Sequence, residues 1–245
     1  MHNQHSDPKV VSINAKTSAN DNAINTEKRP VTLFVGTPSH DQKVTVGYLN
    51  TVLGLNNLLP RIATSVFCLG GNSIITDARN RIFSVFLESQ HDYLLFLDSD
   101  VQINPQDVEI MINAMKDIIA IPIMRKNPVN PTPNVGKAVG DVVDGIIEVD
   151  GIATATMLIS RAAALEFIRN DVEVYSDQPA HLVNKTDFKG NIIHDVFKVF
   201  AKDGQYWCED YYFCKQARDK GLKVYALLNS LSEHYGTIPF SYRGK

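Results

Sequence analysis

The chain has 245 residues, 44% of them hydrophobic, and a formal net charge of −3. That is enough apolar material for one large domain with a full core, or for a domain plus a tail. No global basic field exists, so tight electrostatic binding of nucleic acid is not the expectation, although a local basic patch would still admit a nucleic-acid acceptor. The three cysteines, Cys68, Cys208 and Cys214, form neither a disulfide framework nor a zinc spacing. They read as small buried hydrophobes in a reducing compartment. The N-terminus shows no apolar signal segment, and no apolar run is long enough to span a bilayer. The expectation is a soluble, cytoplasmic protein.

Residues 1–30 are rich in Asn, Ser, Asp, Lys and His without hydrophobic period, so they read as a disordered tail ahead of a single domain over 31–245. Val31–Val35 reads as the first buried strand, and Gly36-Thr37-Pro38-Ser39-His40 as the loop after it, where backbone can approach a ligand. A helix over Val44–Leu55 and a strand over Arg61–Cys68 follow. After the Gly70-Gly71 turn, Ile75, Ala78, Ile82, Val85 and Phe86 recur at helical spacing. Arg79 sits early in that helix, at the end that favours anions, where a guanidinium can grip a phosphate or simply make a surface salt bridge.

Tyr93-Leu94-Leu95-Phe96-Leu97 runs straight into Asp98-Ser99-Asp100. The apolar run reads as a strand buried on both faces, as in a parallel sheet. Charged groups cannot stay unpaired inside it, so the carboxylates belong at its carboxyl end, where open α/β sheets bind ligands. Strand alternation would put Asp98 and Asp100 on one side and Ser99 on the other. Two hard oxygen ligands suit Mn²⁺ or Mg²⁺; the plainer alternative is that one of them caps the next helix.

Asn104-Pro105-Gln106-Asp107 is a strong helix start, with Val108, Met111, Ile112, Met115 and Ile119 as its buried stripe. Strands are expected at Ile118–Ile123, Val142–Val149 and Thr154–Ile159, with the proline-rich stretch 127–134 as a loop and Lys126 at its mouth. A helix over Arg161–Arg169 would turn Ala164, Leu165 and Ile168 inward. Ser176–Gly190 is polar and loop-like, Val196–Phe200 alternates as a half-buried strand does, and Asp203-Gly204 is a hairpin turn. Trp207-Cys208-Glu209-Asp210 opens a helix that Gly221 stops, and Leu222–Leu228 is read as the final strand, leading to Glu233-His234-Tyr235-Gly236.

Polar clusters thus stand at element ends: Asp98/Asp100, Glu209/Asp210 and His234. Two carboxylates and an imidazole with open positions suit Mn²⁺ or Mg²⁺ shared with a diphosphate. Asp210, near a helix N-terminus, would stay ionised and could accept a proton.

On these residues the chain resembles the GT-A-fold glycosyltransferases, in a family-two-like bacterial and viral branch. Asp98-Ser99-Asp100 resembles their Asp-x-Asp motif, Cys208-Glu209-Asp210 their x-Glu-Asp motif, His234 their C-terminal metal ligand, and Thr76-Asp77-Ala78-Arg79-Asn80 a segment of that branch. The order and separations agree from about Val31 to Tyr242; Cys208 departs from the smaller residue usual before Glu-Asp. The resemblance implies a Rossmann-like, mostly parallel α/β sheet flanked by helices, a nucleotide-sugar donor, a UDP-sugar by preference, and a glycan or other hydroxyl-bearing acceptor. It further implies Asp100 and His234 as ligands of Mn²⁺ or Mg²⁺, and Asp98 on the ribose or on the metal through water, with Ser99 beside it at the donor. Arg79 would touch the diphosphate, and Thr37 and Pro38 would line the nucleoside pocket. Asp210 would be the base of an inverting transfer and Glu209 its positioner. A sugar-phosphate nucleotidyltransferase would need a basic, glycine-rich loop after the first strand, which is missing; a non-catalytic sugar-nucleotide or glycan-binding protein is the other alternative.

Overall fold

The computed structural model describes residues 29–170, 172–176, 192–236 and 239–244. The expected N-terminal tail, except residues 29 and 30, and the polar stretch 177–190 lie outside them. A central sheet is ordered β2-β1-β3-β7-β5-β12-β6. Strands β1 (Val31–Ser39), β2 (Ile62–Gly70), β3 (Tyr93–Phe96), β5 (Ile118–Ala120) and β12 (Val224–Leu227) run one way, and β6 (Ile146–Glu148) and β7 (Met157–Ser160) run against them. Both faces are covered, so the inner strands are mostly apolar. Leu94 and Phe96 of β3 enter one core, while Leu95 and the following Leu97 enter the other. The first core is closed by α2 (Ile75–Glu88), α4 (Arg161–Ile168) and α5 (Glu209–Asp219), the second by α1 (Val46–Leu58) and α3 (Pro105–Asn113).

Several local expectations need correction. The loop expected at 36–40 is strand: β1 continues to Ser39, paired with β2 as far as Gly70. Pro38 is tolerated because β3 leaves β1 after Gly36, so from there one side of the strand has no ladder to lose. Gly36 itself lets α2 approach, since a Cβ there would stand 2.2 Å from Ile82 Cγ2. Helix α3 ends at Asn113, so Met115 is 81% exposed instead of joining the stripe, and Ile119 belongs to β5. In α4 the inward residues are Ala163, Ala164 and Phe167, not Leu165, because Ser160 caps the helix and sets its phase. The strand expected over Val142–Val149 shrinks to β6, and the one expected from Thr154 begins as a 3₁₀ turn, Thr154–Thr156, before β7.

Val196–Phe200 is not a half-buried strand. Val196 and Phe197 are both buried, and their backbone N–H groups donate to Asn80 Oδ1 at 3.0 and 2.7 Å. This segment links β9 (Ile192–His194), paired with β8 (Val174–Ser176), to the hairpin of β10 (Phe200–Lys202) and β11 (Gln205–Trp207). The hairpin turns at Asp203-Gly204 as expected, both residues having positive φ. Phe197 stacks on Phe213 of α5 at 4.6 Å between centroids, and Phe213 on Phe167 of α4 at 4.8 Å. That aromatic column fixes α5, and hence its N-terminus, against the sheet.

Strand β12 is not the last one. It is followed by β13 (Leu231–Tyr235) and β14 (Pro239–Arg243), which form a small antiparallel sheet ordered β14-β13-β4 with β4 (Val101–Ile103). The register places His234 opposite Val101, the residue after Asp100. A segment 134 residues further along the chain is thereby laid beside the Asp98–Asp100 turn.

Candidate active site

The backbone at 97–101 is pinned from every side. Leu97 N–H donates to Gly36 O, Asp98 N–H to Ala155 O, Thr45 N–H to Ser99 O and Tyr235 N–H to Asp100 O, all within 2.8–3.1 Å. Val101 N–H donates to Asp98 O at 3.1 Å, closing a turn. The expected strand alternation therefore does not extend through Asp98 and Asp100, and the two carboxylates find different partners.

Asp98 accepts from Arg79 Nη2 at 3.2 Å, and Arg79 Nε stands 3.7 Å from Glu209 Oε1. The Arg79 side chain is 5% exposed, so it is a buried cation between two carboxylates, not a surface salt bridge. Its Cζ lies 5.6 Å from the centre of the Phe96 ring. Arg79 Nε and Nη1 and Asp98 Oδ1 are buried without a hydrogen bond among the described residues. Polar groups so placed are unusual in a folded interior; of six such side-chain atoms among the described residues three belong to this pair, and the others are single atoms of Thr64, Asp107 and Thr154. Burial pushes the Glu209 carboxyl above its ordinary range; Arg79 opposes this, and Asp210 and Asp98 add to it.

The rest of the Thr76–Asn80 segment builds the frame. Asp77 accepts from Arg81 Nε at 2.7 Å, from Asn72 and from Tyr175 Oη at 2.8 Å, while Asn80 holds the 195–197 segment. Burial would raise the Asp77 carboxyl, but these hydrogen bonds outweigh it and hold it below its usual range. A depressed carboxyl contributes stability that is present above its unfolded value and lost as pH falls through its folded one. Asp77→Asn is therefore expected to cost about 1.5–3 kcal/mol at neutral pH. The stability curves of the variant and the parent should converge on acidification, as urea titrations across pH would read.

Asp100 meets His234, with Oδ1 3.5 Å from Nε2, and its Oδ2 accepts from Lys126 Nζ. Desolvation would raise the Asp100 carboxyl, but hydrogen bonds and charge from His234 and Lys126 bring it below its ordinary value. His234 Nδ1 lies 2.8 Å from Met124 O, so Nδ1–H donates to a carbonyl and Nε2 is turned to Asp100. An imidazole fixed by such a bond, facing a carboxylate, is a donor pair that fits Mn²⁺ or Mg²⁺ with further positions left for a ligand. Asp98 does not join it. Among the described residues no group of three His, Cys, Asp or Glu side chains lies close enough to hold a metal ion.

Glu209 and Asp210 open α5, whose N-cap position is Cys208. Asp210 is thus inside the first helical turn, not the cap. It is 9% exposed and accepts from Tyr211 N–H at 2.8 Å and from Asn134 Nδ2 at 3.4 Å. Burial, helped by Asp210, pushes the Cys208 thiol up to about 11. Clefts flank this helix end. One of about 470 Å³ is lined by Arg125, Tyr206, Trp207, Cys208 and Tyr211. A second, of about 710 Å³, shares Trp207 and Tyr211 and adds Lys137, Lys215 and Arg218.

The structure therefore gathers Arg79, Asp98, Glu209 and Asp210 into one chain of contacts, and Asp100 with His234 into another. Ser99 contributes its carbonyl, to Thr45, with no side-chain contact in this network. Thr37 and Pro38, expected at the nucleoside, lie near the carboxyl end of β1. Both are buried in β1, and Thr37 Oγ1 lies 2.8 Å from Tyr48 Oη of α1. Asn134 and the Trp207–Tyr211 wall have weak signals in the sequence, a polar Asn in a proline-rich stretch and an aromatic cluster around Glu-Asp.

No protein-family model and no curated protein sequence matches the chain. Among solved structures, A197 from STIV is similar with a TM-score of 0.51 at 18% identity, over 84% of this chain and 86% of that one. The fold is the GT-A, Rossmann-like one. S. aureus TarS superposes with a TM-score of 0.40 at 13% identity, over 88% of this chain and 37% of that one. Its 1-349 fragment, in complex with UDP-GlcNAc, gives 0.37 at 14% identity, with 58% of that chain covered. The chain thus spans a little over a third of the longer TarS structure. No helix among the described residues is long and apolar enough to cross a membrane.

Proposed function

We propose that the protein is a metal-dependent glycosyltransferase that moves a sugar from a nucleotide-sugar donor, a UDP-sugar by the sequence resemblance, to a hydroxyl acceptor with inversion. The observation that carries the reading is the buried Arg79, which joins Asp98 at the end of β3 to Glu209 beside Asp210 at the start of α5. Donor-type and acceptor-type carboxylates are thereby held at one sheet edge, where this class of fold binds its ligands. Asp100 and His234 would hold Mn²⁺ or Mg²⁺. Such an ion, when bound, supplies charge that neutralises the diphosphate as a leaving group.

The chain's own residues do the rest. Asp210 accepts the acceptor hydroxyl proton as the acceptor oxygen bonds to the anomeric carbon. The bond from that carbon to the phosphate oxygen breaks, and its electron pair leaves with the diphosphate. Asn134 and Tyr211 N–H orient Asp210. Arg79 keeps Asp98 and Glu209 in place and, as the sequence resemblance implies, is the guanidinium offered to the donor phosphates. Trp207 and Tyr211 offer ring faces on which a sugar acceptor can rest.

The test is a panel of UDP-sugars with Mn²⁺. The matching donor should raise the melting temperature by mass action and release UDP slowly by hydrolysis, and chelation should abolish both effects. A panel in which no nucleotide sugar shifts the melt or yields UDP would overturn the reading.

A further inference from the structure

The proline-rich stretch is a built arm. Asn134 N–H donates to Ile123 O at 2.7 Å and Arg125 N–H to Thr132 O at 2.9 Å, pairing its two sides. At its tip Asn127 Oδ1 accepts from the N–H groups of Val129 and Asn130 at 3.0 and 3.1 Å. Pro128, Pro131 and Pro133 stiffen it further. This arm touches the site at Met124, whose carbonyl holds His234, at Lys126, whose ammonium rests on Asp100, and at Asn134, which meets Asp210.

Lys126 is thus a cation delivered by a rigid arm onto the carboxylate that faces His234. The contact is one-third exposed on both sides, so it exchanges with water readily. An ammonium has three N–H donors, and among the described residues Asp100 is the one side-chain acceptor it meets. A divalent ion arriving between Asp100 and His234 would repel it at short range. A diphosphate sharing that ion would bring anionic oxygens to the same place.

We propose that Lys126 is the resident counter-cation of the site: it competes with the divalent ion for Asp100 and then passes to the donor diphosphate. This rests on the function proposed above. It differs from a mere surface ion pair by predicting two effects of opposite sign.

The experiment uses the full chain and its Lys126→Met variant, with Lys126→Arg as the charge-retaining control and a thermal melt as the check on folding. Free Mn²⁺ is counted by electron paramagnetic resonance without nucleotide, and UDP binding is measured by calorimetry in saturating Mn²⁺. Lys126→Met should bind Mn²⁺ alone several-fold more tightly and UDP several-fold more weakly, since a partly exposed ion pair amounts to somewhat less than a decade. Lys126→Arg should restore both toward the parent values. Unchanged Mn²⁺ and UDP affinities in Lys126→Met would overturn the inference alone, and tighter Mn²⁺ with unchanged UDP would overturn the hand-over to the donor. Failure of parent and variant alike to bind Mn²⁺ would instead overturn the metal-dependent function on which the inference rests.

Discussion

Asp210→Asn is expected to lower turnover by roughly 10²–10⁴-fold, the usual contribution of a positioned general base, with little change in melting temperature. The substitution is close to neutral structurally for a reason visible in the site. Oδ1 accepts from Tyr211 N–H at 2.8 Å, and an Asn side chain keeps that oxygen. The Oδ2 contact to Asn134 is long, 3.4 Å, so losing it costs little. Because Asp210 does not cap α5, the helix loses no cap. Donor affinity should therefore stay near the parent value while single-turnover transfer collapses. A variant that kept its turnover would remove Asp210 as the base. Retention of the anomeric configuration in the product would do the same, because inversion requires a base opposite the leaving diphosphate.

Arg79→Met is expected to destabilise the fold by about 3–5 kcal/mol, the cost of leaving buried carboxylates without their cation. An exposed pair would give about 0–1 kcal/mol, so a chemical denaturation curve separates the cases. The pH dependence adds a signature. Burial already raises the Glu209 carboxyl, and Arg79 is the charge that opposes that rise. A carboxyl raised on folding binds its proton more tightly in the folded state, so stability falls as pH rises from its unfolded toward its folded value. Without Arg79 the rise is larger. The loss in Arg79→Met should then be greatest at neutral pH and shrink on acidification. Arg79→Lys should recover only part of the loss, since an ammonium lacks the guanidinium fork that reaches Asp98 and Glu209 together. Equal losses across pH would mean that Arg79 acts through packing on Phe96 instead.

Much of the architecture was legible from local chemistry. The continuous apolar run at 93–97 announced a strand buried on both faces, and β3 is one, because its neighbours and two helix layers leave it no wet side. Asn104 with Pro105, Asp203 with Gly204, and Gly221 at φ +84° behaved as their own backbone preferences dictate. These signals are local, so one chain segment carries them whole.

What only the tertiary structure decided lies between segments. That Thr37 and Pro38 are strand depends on β2 continuing alongside β1 while β3 departs, a fact about two other strands. Asp98 and Asp100 were expected to share one side; the turn closed by Val101 N–H sends one to Arg79 and the other to His234 and Lys126. Asn80 stands in the Thr76–Asn80 motif, yet its work is to hold a backbone 116 and 117 residues away, which no periodicity encodes. The residue types by themselves determined which chemistry the chain could perform: carboxylates at strand and helix ends, an imidazole and a guanidinium. Which carboxylate meets which cation was settled by the pairing of β4 with β13 and by the aromatic column under α5, because a side chain's partner is set by where the backbone of another element is carried, and that depends on the whole packed core.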